Sequence, residues 1–410
     1  MGSISHKSDH TNTPGACEEL LSLCLSGRPL FEKPWSTDLL DRAIAEDSGR
    51  AFFSIVVERL GDLFEPRLCT TYVRLFDHTI ARVWPGWPVQ ELEERYRKIR
   101  EPHTPPSSVD RVYVLSRVTL GADVAVTSVM LDAAKHRYPD AKIVLVGARK
   151  SFELFEGDPR VAHLSAPYAR AGVLEDRLYA SIDLAKLLAT DGAGVRSIVI
   201  DPDSRLSQLG LIPVCEDENY FFFESRGYGG AGLDRLPHLA ARWAHEVFGV
   251  EGARPYIAPR EADVPAADIT VSLGVGENEA KRLDDAFERD LLRALADTGA
   301  SVLVDEGGSA AERERVERAL LPGIRTHQGA FGVFAALIQK SRLYVGYDSA
   351  GGHVASACGV PVISIAKGFA SDRMAARWRP NGLVLDGSDA QLWNKIRDAL
   401  AAFRRLAPDA

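Results

Sequence analysis

Two stretches of this chain alternate short β-branched runs with longer amphipathic segments, and that alternation limits the fold more than any other feature. The first series holds strand-like runs at 111–116, 142–147, 196–201 and 220–224, with a helical stripe over 123–137 formed by Thr127, Met130, Leu131, Ala134 and Tyr138. The second holds strand-like runs at 269–273, 301–305, 343–347 and 361–365. Helical patterns at 284–296, 310–321 and 331–340 separate them, and an amphipathic helix at 390–404 closes the chain. Strands spaced by helices imply parallel sheets, because a parallel neighbour is reached only through a crossover. The join at 250–268 carries Pro255, Pro259 and Pro265. Two α/β units on either side of it predict a cleft between the C-terminal edges of their strands, the usual ligand position in such sheets.

The N-terminal hundred residues have a different texture. Residues 18–25, 37–46 and 54–64 read as amphipathic helices, and 70–83 mixes strand-prone and helix-prone residues. The Pro/Ser-rich 100–108 reads as a linker. The polar residues 1–16 read as a disordered tail without an apolar signal core.

Composition removes several classes of function. A formal net charge of −8 argues against a general nucleic-acid binder, which carries a basic excess. The five cysteines, Cys17, Cys24, Cys69, Cys215 and Cys358, show no metal-ligand spacing, so a reducing compartment and no structural zinc are expected. No apolar run is long enough for a membrane span. The expectation is a cytoplasmic protein, with peripheral contact at the inner membrane left open.

One stretch carries most of the chemistry: YVGYDSAGGHVASACGVPVIS, residues 344–364. An apolar strand ends in Asp348-Ser349, a small-residue helix follows, and Gly359 with Pro361 ends that helix. A helix start at a strand's C-terminal edge offers free backbone N–H groups and a positive dipole end. Gly351 and Gly352 would let an anion approach the backbone. Ser349 and His353 add donors, so the stretch predicts an anionic ligand; the structural alternative is a tight turn with His353 packed inside.

Here the sequence resembles glycosyltransferase family 9, the ADP-heptose:lipopolysaccharide heptosyltransferases and their relatives. Three stretches carry the resemblance: RVYVLSRVTLGADVAVTSVMLDAAKHRYPDAKIVLVG, ITVSLGVGENEAKRLDDAFERDLLRAL, and YVGYDSAGGHVASACGVPVISI. It implies an α/β GT-B fold, two Rossmann-like domains facing across a cleft, here with a mainly helical N-terminal extension. It implies inverting, metal-independent transfer from a nucleotide-diphospho-sugar, ADP-heptose being one candidate, with no cofactor. Asp123 would be the general base, the alternative being a helix N-cap. Lys281 would contact the donor phosphates, Glu312 the nucleotide ribose, and Ser349, Gly351, Gly352 and His353 the diphosphate. For Lys281 the alternative is a solvated helix face, and for Glu312 a helix-start carboxylate. The sequence departs from the family pattern in two places: Ala122 intervenes in the Gly-Asp turn, and Ala350 stands where a glycine is usual.

Arg373 and Arg377 are candidates for acceptor or phosphate contact, and the 201–205 segment (DPDSR) for the acceptor side. The expected divisions are a tail at 1–16, a helical extension and linker at 17–108, an acceptor domain at 109–255, a donor domain at 256–382 and a C-terminal helix at 383–410. The acceptor would be a glycan, a lipid-linked sugar or a protein, with no nucleic-acid partner; the sequence does not speak to oligomeric state. A non-catalytic nucleotide-sugar binding or scaffold protein on the same fold is the alternative function. A nicotinamide oxidoreductase is disfavoured, because LSRVTLGADVAV lacks the GxGxxG glycines.

Overall fold

A computed structural model describes residues 15–405, apart from 29, 33, 169–172, 262–264 and 277. Most of the expected tail lies outside the described residues. The N-terminal region folds as α1 (Ala16–Leu25), α2 (Pro34–Ala45), α3 (Glu58–Asp62), α4 (Pro66–Val83) and α5 (Val89–Arg100), with a π-helical segment at Phe52–Val57 leading into α3. The ambiguous 70–83 is helical because its apolar residues, among them Tyr72, Val73, Phe76 and Ile80, fall on one buried face of α4.

The first α/β unit follows with β1 (Arg111–Leu115), α6 (Leu120–Ala122), a π segment at Asp123–Thr127, α7 (Ser128–Arg137), β2 (Lys142–Gly147), α8 (Arg149–Phe152), β3 (Val161–Ser165), α9 (Leu174–Asp191), β4 (Ser197–Asp201), β5 (Tyr220–Phe222) and α10 (Leu236–Phe248). The second contains β6 (Ile269–Ser272), α11 (Asp285–Ala296), β7 (Val302–Asp305), α12 (Ala310–Ala319), β8 (Arg325–His327), α13 (Phe331–Gln339), β9 (Leu343–Tyr347), α14 (Ala350–Ala357), β10 (Val362–Ala366), α15 (Asp372–Trp378), β11 (Leu383–Asp386) and α16 (Leu392–Arg405). Residues 383–386, expected with the terminal helix, are instead the edge strand of the second sheet.

Both sheets are parallel throughout. Their orders are β3-β2-β1-β4-β5 and β11-β10-β9-β6-β7-β8. Each has one place where the winding reverses, between β1 and β4 in the first and between β6 and β9 in the second. A crevice opens at such a switch point because the two adjoining crossovers leave in opposite directions.

Alternation along the central strands shows why the N-terminal helices exist. Val112 and Val114 of β1, Ile143 and Leu145 of β2, and Ile198 and Ile200 of β4 point to one side, into a core with α7 and α10. Tyr113, Leu115, Val144, Val146 and Val199 point to the other side. That face is buried under α9 and under Leu20, Leu40, Phe52, Val56, Leu75 and Phe76 of the extension. A parallel sheet needs both faces covered, and the extension provides half of that cover. The first core also runs on into the second unit through Phe334, Leu337, Ile338, Val354 and Ala355. No helix among the described residues is long and apolar enough to cross a membrane.

Candidate active site

The cleft between the two sheets has a volume of about 320 Å³ and lies at both switch points. From the first sheet come Arg117, Thr119, Gly121 and Ala122 after β1, and Asp203 and Arg205 after β4. From the second come Lys281 after β6 and Asp348, Ser349, Ala350 and His353 after β9. The extension adds Gly61, Asp62 and Phe64, and the α15 region adds Phe369, Met374 and Trp378. Four cations, Arg117, Arg205, Arg226 and Lys281, face three carboxylates, Asp62, Asp203 and Asp348.

On the second-sheet side, Ser349 precedes α14 in extended conformation, and its hydroxyl does not cap the helix. The hydroxyl rests 3.4 Å from the Tyr344 hydroxyl, so the first-turn N–H groups have no side-chain acceptor from Ser349. Lys281 sits on a one-turn 3₁₀ helix, Glu279–Lys281, fastened by the Asn278 side chain accepting from the Ala280 N–H at 3.1 Å. Its Nζ donates to Asp348 Oδ2 at 2.7 Å. Asp348 therefore orients the lysine at the mouth of α14. His353 lines the cleft beside Trp378, ring centroids 5.9 Å apart. Burial holds its pKa below the ordinary value, opposed by Asp348, so a neutral ring is expected at neutral pH.

Several sequence candidates stand elsewhere. Gly351 and Gly352 are buried and do not line the cleft. A Cβ on Gly351 would fall 2.3 Å from the Tyr344 hydroxyl, so that glycine lets α14 pack on β9, and Ala350 takes the cleft position. Glu312 completes a capping box at the start of α12. Its Oε2 accepts from the Gly308 and Ser309 N–H groups at 3.0 and 3.1 Å, leaving Oε1 toward Gly274. Arg373 and Arg377 each donate to main-chain carbonyls of the fold. Arg373 donates to the Phe64 carbonyl at 3.0 Å. Arg377, fully buried, donates to the Ser225 and Gly230 carbonyls at 3.0 and 2.8 Å. Both tie the second unit to the rest of the chain and neither lines the cleft.

Asp123 is the largest displacement. The resemblance places it at the cleft, yet it is fully buried and its carboxylate accepts three bonds. Ser116 Oγ donates at 2.8 Å, the Arg117 N–H at 2.7 Å and Thr127 Oγ1 at 2.8 Å. The segment Asp123–Thr127 winds as a π turn; Ala122 lines the cleft, while Asp123 faces inward and fastens the β1 turn.

The first-sheet side holds Asp203 and Arg205 of the 201–205 segment, together with Arg117 and Arg226, which the sequence reading passed over. Arg117 is buried, donates to the Pro202 carbonyl at 2.6 Å and Ser225 Oγ at 2.8 Å, and lies 5.7 Å from the Trp378 ring centroid. Burial pulls its pKa down to about 10. Asp203 is held by Ser225 Oγ at 2.7 Å and by Arg226. Val118 and Asp203, the residues that turn the chain after β1 and β4, have φ of 61° and 67°. For a β-branched valine that conformation costs on the order of 1–3 kcal/mol, a strain typical of ligand sites. The only sequence signal for Arg117 was its position just after a predicted strand; Asp62 gave none. Among the described residues, no cluster of His, Cys, Asp or Glu is placed to hold a metal ion.

Two parallel-sheet domains with a cleft at their facing switch points, on this connectivity, define a GT-B fold. Solved structures agree. The E. coli heptosyltransferase WaaC with ADP-2-deoxy-2-fluoro heptose is 14% identical, with TM-score 0.53 over 71% of this chain and 99% of that one. The glycosyl transferase family 9 protein from Veillonella parvula DSM 2008 is 16% identical, with TM-score 0.53 over 71% and 90%. No curated protein matches the sequence. Residues 262–380 match the family model for glycosyltransferase family 9 (heptosyltransferase). The fold is thus GT-B, and the C-terminal side of the chain carries, over residues 262–380, a segment similar to glycosyltransferase family 9 (heptosyltransferase).

Proposed function

We propose that the chain transfers a sugar, with heptose the first candidate, from a nucleotide-diphospho-sugar to an acceptor hydroxyl, with inversion and without a metal. The observation that carries this reading is Lys281 beside the uncapped start of α14, facing Arg117, Arg205 and Arg226 across the cleft. As the glycosidic bond breaks, negative charge grows on the leaving diphosphate. The Lys281 ammonium, the Ser349 hydroxyl and the α14 N–H groups are aimed at that charge and stabilise it without reorganising. The neutral His353 ring adds a donor or acceptor at the same face. Glu312 Oε1, beside Gly274, is the donor-side carboxylate for a ribose. Domains on either side of the cleft divide the work, the second unit holding the donor and the first the acceptor. Lipid-linked, protein and glycan acceptors are all compatible with that division.

Titration calorimetry of the full chain with ADP, UDP and GDP tests the donor site. One diphosphate, ADP by this reading, should bind selectively. Lys281→Ala should weaken it at least about tenfold, the worth of one charge-assisted hydrogen bond, and Ser349→Ala by less. A folded protein that binds none of the three would favour the non-catalytic scaffold reading.

A further inference from the structure

We propose that Asp62, at the end of α3 in the N-terminal extension, is the general base that accepts the proton of the attacking hydroxyl. This rests on the donor reading above and names the missing partner in it. The need arises because Asp123, the acid at the Gly-Asp turn, is closed off: it is fully buried and three donors occupy its oxygens. The residue that reaches the cleft at that turn is Ala122, which carries no acid.

Three carboxylates do line the cleft, and two are already committed. Asp203 is bound by Ser225 and Arg226, and Asp348 by Lys281. Asp62 makes no hydrogen bond or ion pair with the described residues, while Arg226, Arg205, Lys281 and Arg59 surround it at longer range. Burial raises its pKa from the ordinary carboxylate value, opposed by those cations. A carboxylate that holds a proton better than a free aspartate suits general-base work.

The position of Asp62 is also fixed by the second unit. Its next two residues are bound by the second unit: the Leu63 carbonyl accepts from Ser371 Oγ at 3.1 Å and the Phe64 carbonyl from Arg373 at 3.0 Å. The Phe64 ring packs edge-on against Trp378, centroids 6.4 Å apart. The acid is thereby held over the same cleft as Lys281 and Ser349. In the step itself the acceptor oxygen forms a bond to the anomeric carbon and its proton passes to Asp62. The bond from that carbon to the diphosphate oxygen breaks, and its electron pair leaves with the nucleoside diphosphate.

The test uses the full chain with ADP-heptose as donor and water as acceptor, reading ADP release, with ADP affinity measured alongside. Asp62→Asn and Asp62→Ala should bind ADP as the wild type does and release it at least about 100-fold more slowly. Sodium azide, a nucleophile with no proton to remove, should restore ADP release by Asp62→Ala and leave the wild type unchanged. A merely structural loss would not respond to azide, so failure of that rescue overturns the assignment. Asp62→Asn turnover within threefold of the wild type overturns it equally. A wild type that binds no ADP would instead sink the donor reading, and the base with it, so the two failures are told apart.

Discussion

At Asp123 burial and three hydrogen bonds decide what a carboxylate does. Buried among Ser116, the Arg117 N–H and Thr127, it braces the turn that carries Arg117 and Ala122 into the cleft. Asp123→Asn replaces one acceptor oxygen by an N–H donor facing other donors. The expected result is a loss of about 1–3 kcal/mol in urea unfolding, the cost of a buried group left without its partner. The loss should appear in stability, with ADP release per folded molecule little changed. A large fall in turnover at unchanged stability would return the base to Asp123.

The elements of the extension carry their own titration. Asp77 on α4 is fully buried, and neither carboxylate oxygen has a hydrogen-bond partner. Burial, reinforced by Glu93 and opposed by Arg74, pushes its pKa up to about 8 from 3.8. The folded state therefore holds a proton between roughly pH 4 and 8 that the unfolded chain releases. Stability contributed by the protonated form is complete below pH 4 and is lost as pH rises through 8. Asp77→Leu removes the titrating group and fills the same volume with apolar atoms. Its melting temperature relative to the wild type should climb from pH 5 to pH 8 and then level off. A difference that does not change with pH would show that Asp77 is already ionised in the fold.

Across the whole molecule, the extension and the first sheet are one body. Phe52, fully buried, belongs to the same core as Tyr113, Leu115 and Val199 of the central strands. Phe52→Ala should cost about 3–5 kcal/mol. Scanning calorimetry should show the transition of the first unit moving down as a whole. Early melting of the extension alone, with the sheet unmoved, would mean that the two are independent. Phe64, Arg373 and Arg377 extend the same continuity to the second unit, since each contacts a residue on the far side of the cleft.

The alternation of β-branched runs with amphipathic stretches determined the two parallel sheets, because period-two and period-3.6 burial are written in the order of residues. The motif around Asp348-Ser349 likewise revealed a helix start at a strand edge, and Lys281 lies beside it with its Nζ on Asp348. Strands such as β3, β8 and β11 escaped notice because edge strands need no continuous apolar run; Arg325–His327 has none. Only the tertiary structure decided which acids face the cleft. Asp123 is turned inward onto Ser116, the Arg117 N–H and Thr127, Arg377 donates to carbonyls about 150 residues away in sequence, and Asp62 reaches the cleft just before Leu63 and Phe64, whose carbonyls the second unit binds. Such outcomes depend on contacts between residues far apart in the chain. Local sequence fixes the period of burial, while the direction of one side chain follows from what the rest of the fold leaves open around it.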